Sequence, residues 1–206
     1  MKYAIVTDFD GTLTKEDVAD LLVSHFKVAG VKCAPNNTCD DEAKHWMRCY
    51  MGAIKAGQKE FEAYVTKAAE AREGLVEMIG AAFAKDVPFE IVSGGLDIYI
   101  NPVLKKYNIS GIPVYAANGV FTTEGIKVDY PLLENFTLAD FKASRVKHFK
   151  KLGYKTIFCG DGFTDFEAAK EADILFARAH LLDLCVRKNI PANELVTFKE
   201  IIGIIS

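Results

Sequence analysis

Lys2-Tyr3-Ala4-Ile5-Val6-Thr7 runs straight into Asp8-Phe9-Asp10-Gly11-Thr12, and the reading of this stretch decides the fold. The first six residues are a short β-rich apolar run, and the next five form an acidic turn bearing a glycine, so a buried strand ending in a loop is predicted. On an extended chain, positions i and i+2 face the same way. Asp8 and Asp10 can therefore share one pocket while Phe9 packs inward. Taken alone, the same residues also describe an ordinary acidic turn after a strand.

Outward from this stretch, the texture changes twice. From Lys15 to about Arg72 the patterns are helical, with Val18, Leu21, Leu22, His25 and Phe26 at helical spacing, then Trp46, Cys49, Tyr50 and Ala53, then Phe61, Tyr64, Val65 and Ala68. One loop-like stretch, Ala34-Pro35-Asn36-Asn37-Thr38, interrupts them. Three or four amphipathic helices are predicted. After Glu73, helix and strand alternate. Strands are expected at Pro88 to Val92, Val114 to Ala116, Val120 to Thr122, Ile126 to Tyr130, Tyr154 to Cys159, Ile174 to Ala177 and briefly at Leu195-Val196-Thr197. Helices are expected at Gly74 to Asp86, Leu96 to Tyr107, Ala139 to Leu152, Thr164 to Ala172, Leu181 to Lys188 and Lys199 to Ile205. Such alternation predicts an α/β fold with a doubly wound parallel sheet. Because Lys2 to Thr7 must rejoin that sheet, the helical block is an insertion: residues 1–14 and 73–206 form the core and 15–72 the inserted unit.

The 206 residues are half apolar and 26% charged, with 25 Lys+Arg against 28 Asp+Glu and a net charge of −3. That is enough apolar chain for one sizeable core, and an acidic balance argues against nucleic acid as the main partner. No apolar run reaches the ~20 residues of a membrane span, and the opening residues are too short for a signal-peptide core. Five cysteines are an odd number for a secreted disulfide framework, so a reducing cytoplasm is expected.

Three more segments carry chemistry. Gly160-Asp161-Gly162-Phe163-Thr164-Asp165 is a second acidic turn at a strand end. Its carboxylates suit Mg²⁺, which takes hard oxygen ligands, although Asp161 or Thr164 could equally cap a helix. Ile91-Val92-Ser93-Gly94-Gly95 offers a hydroxyl and bare N–H groups as an anion cradle, or a plain strand-to-helix turn. On the helix after residue 139, Lys142 shares the apolar stripe of Val146 and Phe149, where a cation needs an anionic partner, with Arg145 as second choice. Cys33, Cys39, His45 and Cys49 lack paired zinc-ligand spacing, and His25, His148 and His180 form no Ser-His-Asp pattern.

Together these turns resemble the haloacid dehalogenase-type phosphohydrolases from residue 3 to about residue 190. The helical insertion is similar to the type-1 cap of the phosphoserine-phosphatase-like members. The resemblance implies a Rossmann-like core, Mg²⁺ and a small-molecule phosphomonoester substrate. It implies Asp8 as nucleophile and Asp10 as general acid/base. It further implies Asp8, Asp161 and the Asp10 carbonyl as metal ligands, with Asp165 as ligand or support. Ser93, Gly94 and Lys142 would hold the phosphoryl oxygens. In the subgroup, a carboxylate soon after the first turn reads the substrate, which points to Asp17 beside Glu16. Phosphoserine phosphatases carry Glu where this chain has Asp17 and Ser where it has Gly11. Arg72-Glu73-Gly74, Ser93-Gly94-Gly95-Leu96-Asp97, Phe141-Lys142-Ala143-Ser144 and Phe176 to Leu182 resemble instead the family's methylthio-sugar-phosphate phosphatases. Receiver-type signalling proteins also phosphorylate an Asp beside a Lys, but lack the DxD spacing and the helical insertion.

Overall fold

A computed structural model describes residues 2–33, 42–132 and 136–206. The loop-like stretch Ala34 to Thr38 and Cys39 lie outside the described residues. The strands are β1 (Tyr3–Thr7), β2 (Phe89–Leu96), β3 (Val114–Phe121), β4 (Ile126–Asp129), β5 (Lys155–Gly160), β6 (Ile174–Ala177) and β7 (Asn193–Glu194). They form a seven-stranded sheet in the order β4-β3-β2-β1-β5-β6-β7, parallel except for the antiparallel β3–β4 hairpin. The chain starts in the middle of the sheet, with β2 on one side of β1 and β5 on the other. The carboxyl ends of β1, β2 and β5 flank that switch point, where open α/β sheets bind ligands.

Both faces of the sheet are covered, which is why β1 reads as a continuous apolar run. Ile5 packs with Met78, Ile91, Tyr99 and Phe198 on one face, while Ala4 and Val6 pack with Val146, Phe158 and Leu181 on the other. The first layer contains α4 (Leu75–Ala84), α5 (Asp97–Lys106) and α9 (Lys199–Ile205). The second contains α6 (Leu138–Lys151), α7 (Phe166–Glu171) and α8 (Ala179–Arg187). Between β1 and α4 the described chain holds α1 (Val18–His25), α2 (Glu42–Gly52) and α3 (Gln58–Ala68), which pack on β2, β4 and α5.

Local differences from the sequence expectation have physical causes. Ser93-Gly94-Gly95 is not a turn. It prolongs β2 to Leu96, and the pairing with β3 breaks register between Val92 and Leu96. The two short strands expected at 114–116 and 120–122 are one strand. The brief strand expected at 195–197 lies at Asn193–Glu194, pairing with β6. The helix expected from Thr164 opens with a 3-10 turn over Phe163–Asp165 before α7. Cys33 and Cys49 are joined as a disulfide, a pairing that the cysteine count did not predict. Cys159 and Cys185 are buried thiols.

The two connections of the helical insertion cross at its base. Thr14 bridges Ala71, and the Arg72 N–H donates to the Leu13 carbonyl at 2.8 Å. The buried Arg72 guanidinium donates to the carbonyls of Thr12 (2.8 Å), Gly11 (2.8 Å) and Thr14 (3.0 Å). Arg178 adds a second donor to the Gly11 carbonyl at 2.8 Å. Arg72→Met leaves those carbonyls without their charged donor, so on the order of 3 kcal/mol of stability is lost. A urea midpoint within error of wild type would refute this.

Candidate active site

A cleft of about 360 Å³ opens above the switch point, and Asp8, Asp10, Ser93, Gly94, Lys142 and Asp161 all line it. A cleft of about 480 Å³ beside α5 contains Lys105 but no carboxylate or thiol, so it lacks the groups for this chemistry. Asp8 and Asp10 follow β1, and the Asp8 N–H still donates to the Cys159 carbonyl at 2.9 Å. The pleat therefore carries both side chains toward the cleft, while Phe9 is buried in the core.

Lys142 is 1% exposed, and its ammonium lies 3.0 Å from Asp8 Oδ1 and 2.6 Å from Asp165 Oδ1. The apolar stripe of α6 thus buries the lysine, and two carboxylates satisfy it. Burial opposes its charge, but Asp165 and Asp8 outweigh that and raise its pKa, so it stays charged. Arg145 is engaged elsewhere, pairing with both oxygens of Glu90 at 2.9 and 2.7 Å.

Asp161 Oδ1 lies 3.4 Å from the Thr12 hydroxyl, linking the two acidic turns. Gly11 makes that approach possible: φ is +65°, and a Cβ there would stand 2.3 Å from Asp161 Oδ2. Asp165 is fully buried, with one oxygen on Lys142 and the other accepting from the N–H groups of Asp161 (3.0 Å) and Gly162 (2.9 Å). Oxygens of Asp8, Asp161 and Asp165 fall within 4.8 Å of one another.

Burial raises the Asp8 pKa well above the carboxylate range, and repulsion from Asp165 adds to it while Lys142 opposes. Asp161 is pushed up to about 7 by burial and by Asp165. Asp10 is raised by burial and by the Asp17 charge, against hydrogen bonds from Tyr99 and the Val18 N–H. Four crowded carboxylates thus face one ammonium. A hard divalent cation fits this donor set, because it restores the ionised forms that the protein alone disfavours.

Asp17 caps α1 by accepting from the Asp20 N–H at 3.0 Å, and it also lines the cleft. Glu16 is exposed and is not among the lining residues; only its carbonyl is used locally, accepting from the Gly11 N–H and the Thr14 hydroxyl. The structure therefore separates two neighbours that the sequence left together. Trp46 and Met47 of α2, Asp20, Leu138 and His180 also line the cleft. Sequence reasoning missed Tyr99, whose hydroxyl donates to Asp10 Oδ2 at 2.7 Å. The available signal was a tyrosine in the first turn of the helix that follows Ser93. It also missed the carbonyl contacts of Arg72 and Arg178.

Residues 5–170 match the family model described as haloacid dehalogenase-like hydrolase. A protein of Lysinibacillus sphaericus named 2-hydroxy-3-keto-5-methylthiopentenyl-1-phosphate phosphatase is 32% identical, covering 100% of this chain and 94% of its own. One of the same name from Bacillus pumilus is 29% identical, covering 96% and 89%. A solved phosphoserine phosphatase in apo form matches with a TM-score of 0.70 at 19% identity, covering 100% of both chains; it shares the fold. Among the described residues, no helix is long and apolar enough to cross a membrane.

Proposed function

The chain belongs to the haloacid dehalogenase-like hydrolases, and from that premise we propose that it is a phosphatase that cleaves small phosphomonoesters through a phosphorylated Asp8. The observation that carries the reading is Asp8 Oδ1 held 3.0 Å from a buried lysine in a cleft shared with Asp10 and Asp161. An anionic carboxylate approaches an anionic ester only where positive charge is already in place. Residues 1–14 and 73–206 form the catalytic core, and 15–72 form the cap that faces the leaving group.

Asp8, Asp161 and the Asp10 carbonyl would hold Mg²⁺, with Asp165 positioning Lys142 and the second acidic turn. When bound, the ion supplies charge that ionises Asp8 and offsets the negative phosphoryl oxygens. Asp8 attacks phosphorus, forming a new P–O bond as the ester P–O bond breaks, while Asp10 gives its proton to the departing oxygen. Asp10 then takes a proton from water, which attacks the aspartyl-phosphate and frees Asp8. Lys142, the Ser93 hydroxyl and the Gly94 N–H hold the phosphoryl oxygens throughout.

The leaving-group wall narrows the substrate. Trp46, Met47 and Leu138 line the cleft together with the carboxylates of Asp17 and Asp20, and Lys142 is the lone Lys or Arg among the described lining residues. That lysine is committed to Asp8 and Asp165. The α-carboxylate of phosphoserine would meet like charge there, whereas a hydroxylated sugar phosphate with an apolar thioether end would find both acceptors and apolar surface. Phosphate release from phosphoserine, phosphoethanolamine, phosphocholine, sugar phosphates and methylthio-sugar phosphates, with and without Mg²⁺, tests the reading. Fastest release is expected from the methylthio-sugar esters. Phosphoserine as the best substrate would overturn the assignment, and no release from any ester would overturn the activity.

A further inference from the structure

We propose that Tyr99 is a positioning residue for Asp10: its hydroxyl fixes Oδ2, so that the proton exchanged in both half-reactions is carried at Oδ1. This rests on the hydrolase reading above and goes beyond it. Tyr99 is fully buried in the first turn of α5, among the largest enclosed side chains. Phenylalanine would fill nearly the same volume, so the hydroxyl needs its own explanation, and its acceptor is Asp10 Oδ2 at 2.7 Å.

The lone pairs can be counted. Each carboxylate oxygen offers two acceptor positions. Oδ2 receives the Tyr99 hydroxyl at 2.7 Å and Oδ1 the longer Val18 N–H bond at 3.1 Å, while the Ser93 hydroxyl, 3.4 Å from Oδ2, is the donor that turns to the phosphoryl oxygens. The short Tyr99 bond keeps Oδ2 as the acceptor oxygen, and the open position at Oδ1 takes the transferable proton. Gly95 makes the arrangement possible, since a Cβ there would stand 1.8 Å from the Tyr99 oxygen and 2.7 Å from Asp10 Oδ2. The glycine after the Ser93-Gly94 cradle thus admits the tyrosine to the acid.

In the first half-reaction, the ester P–O bond breaks as the Oδ1 proton passes to the leaving oxygen. In the second, water bonds to phosphorus as the Asp8 oxygen–phosphorus bond breaks and phosphate leaves, and the water proton returns to Oδ1, so Asp10 ends the cycle unchanged. Misplacing the acid matters where the leaving group needs a proton and little where it does not. Nitrophenolate leaves unprotonated, while an alkoxide does not.

The test is single-turnover formation of the phosphoenzyme by Tyr99→Phe, with 4-nitrophenyl phosphate and with a simple alkyl phosphate. The alkyl rate is expected to fall about 10- to 100-fold, less than the 10²–10⁴ of a whole general-acid contribution because the acid is misplaced and not removed, with the nitrophenyl rate within about twofold of wild type. Equal losses with both esters, or no loss with the alkyl ester, would overturn the proposal. Wild-type protein that forms no phosphoenzyme from either ester would instead overturn the hydrolase reading. Should Tyr99→Phe fail to accumulate folded, Tyr99→Met, which also lacks the hydroxyl and adapts its shape to the space, must show the same dependence on leaving group; its absence refutes the role.

Discussion

Asp8→Asn is expected to lower turnover by about 10⁴-fold or more, the scale seen when a covalent nucleophile is removed, without weakening the fold. The carboxamide matches the carboxylate in shape and keeps the oxygen facing Lys142, but it is no nucleophile toward phosphorus. Asp8 sits buried among Asp165, Asp161 and Asp10, and their repulsion and its burial oppose its charge. Removing that charge relieves strain in the metal-free protein even though Lys142 loses one of its two partners. A thermal midpoint equal to or above wild type is therefore expected together with dead enzyme. Turnover within tenfold of wild type would remove Asp8 from the chemistry.

The second large effect is on the cation. Chelation should halt phosphate release, and added Mg²⁺ should restore it. Asp161→Ala should raise the Mg²⁺ concentration for half-maximal rate by more than about 10²-fold, beyond the 10- to 100-fold typical of supporting residues. Asp161 carries this weight because its carboxylate accepts only a long bond from the Thr12 hydroxyl, at 3.4 Å, whereas both oxygens of Asp165 are engaged by Lys142 and two backbone N–H groups. Full activity in excess chelator would refute the cation requirement. An unchanged Mg²⁺ dependence in Asp161→Ala would remove that residue from the ligand set.

Much of the site is legible in the sequence because its residues contradict their surroundings. A lysine on the apolar stripe of a helix demands an anion, and Lys142 has two. Acids at positions i and i+2 after a buried strand share a side, and Asp8 and Asp10 do. What stays hidden is what leaves no such contradiction. Tyr99 reads as one more aromatic in a core helix. Arg72 and Arg178 bind main-chain carbonyls, which every residue has, so nothing in the sequence marks the acceptors. Ser93-Gly94-Gly95 suggests a turn because glycine usually does, yet the segment is an irregularity within β2, which resumes its pairing with β3 at Leu96. The Cys33–Cys49 disulfide joins positions 16 apart, a spacing that fixes no geometry until α2 is placed. Asp17 and Glu16 are chemically alike, and the start of α1 alone decides which one meets the cleft.

The grip of Arg72 and Arg178 on the Gly11 carbonyl bears on how substrate gets in. Arg72 sits on the outgoing connection and its acceptors sit on the incoming one, so the two are stapled together within a few residues of the nucleophile. A swing of the helical lobe that began at this staple would drag Asp8 and Asp10 with it. Motion confined to the segments above, past Glu16 on the way in and before Glu70 on the way out, lets the lobe lift while the reacting carboxylates stay in register.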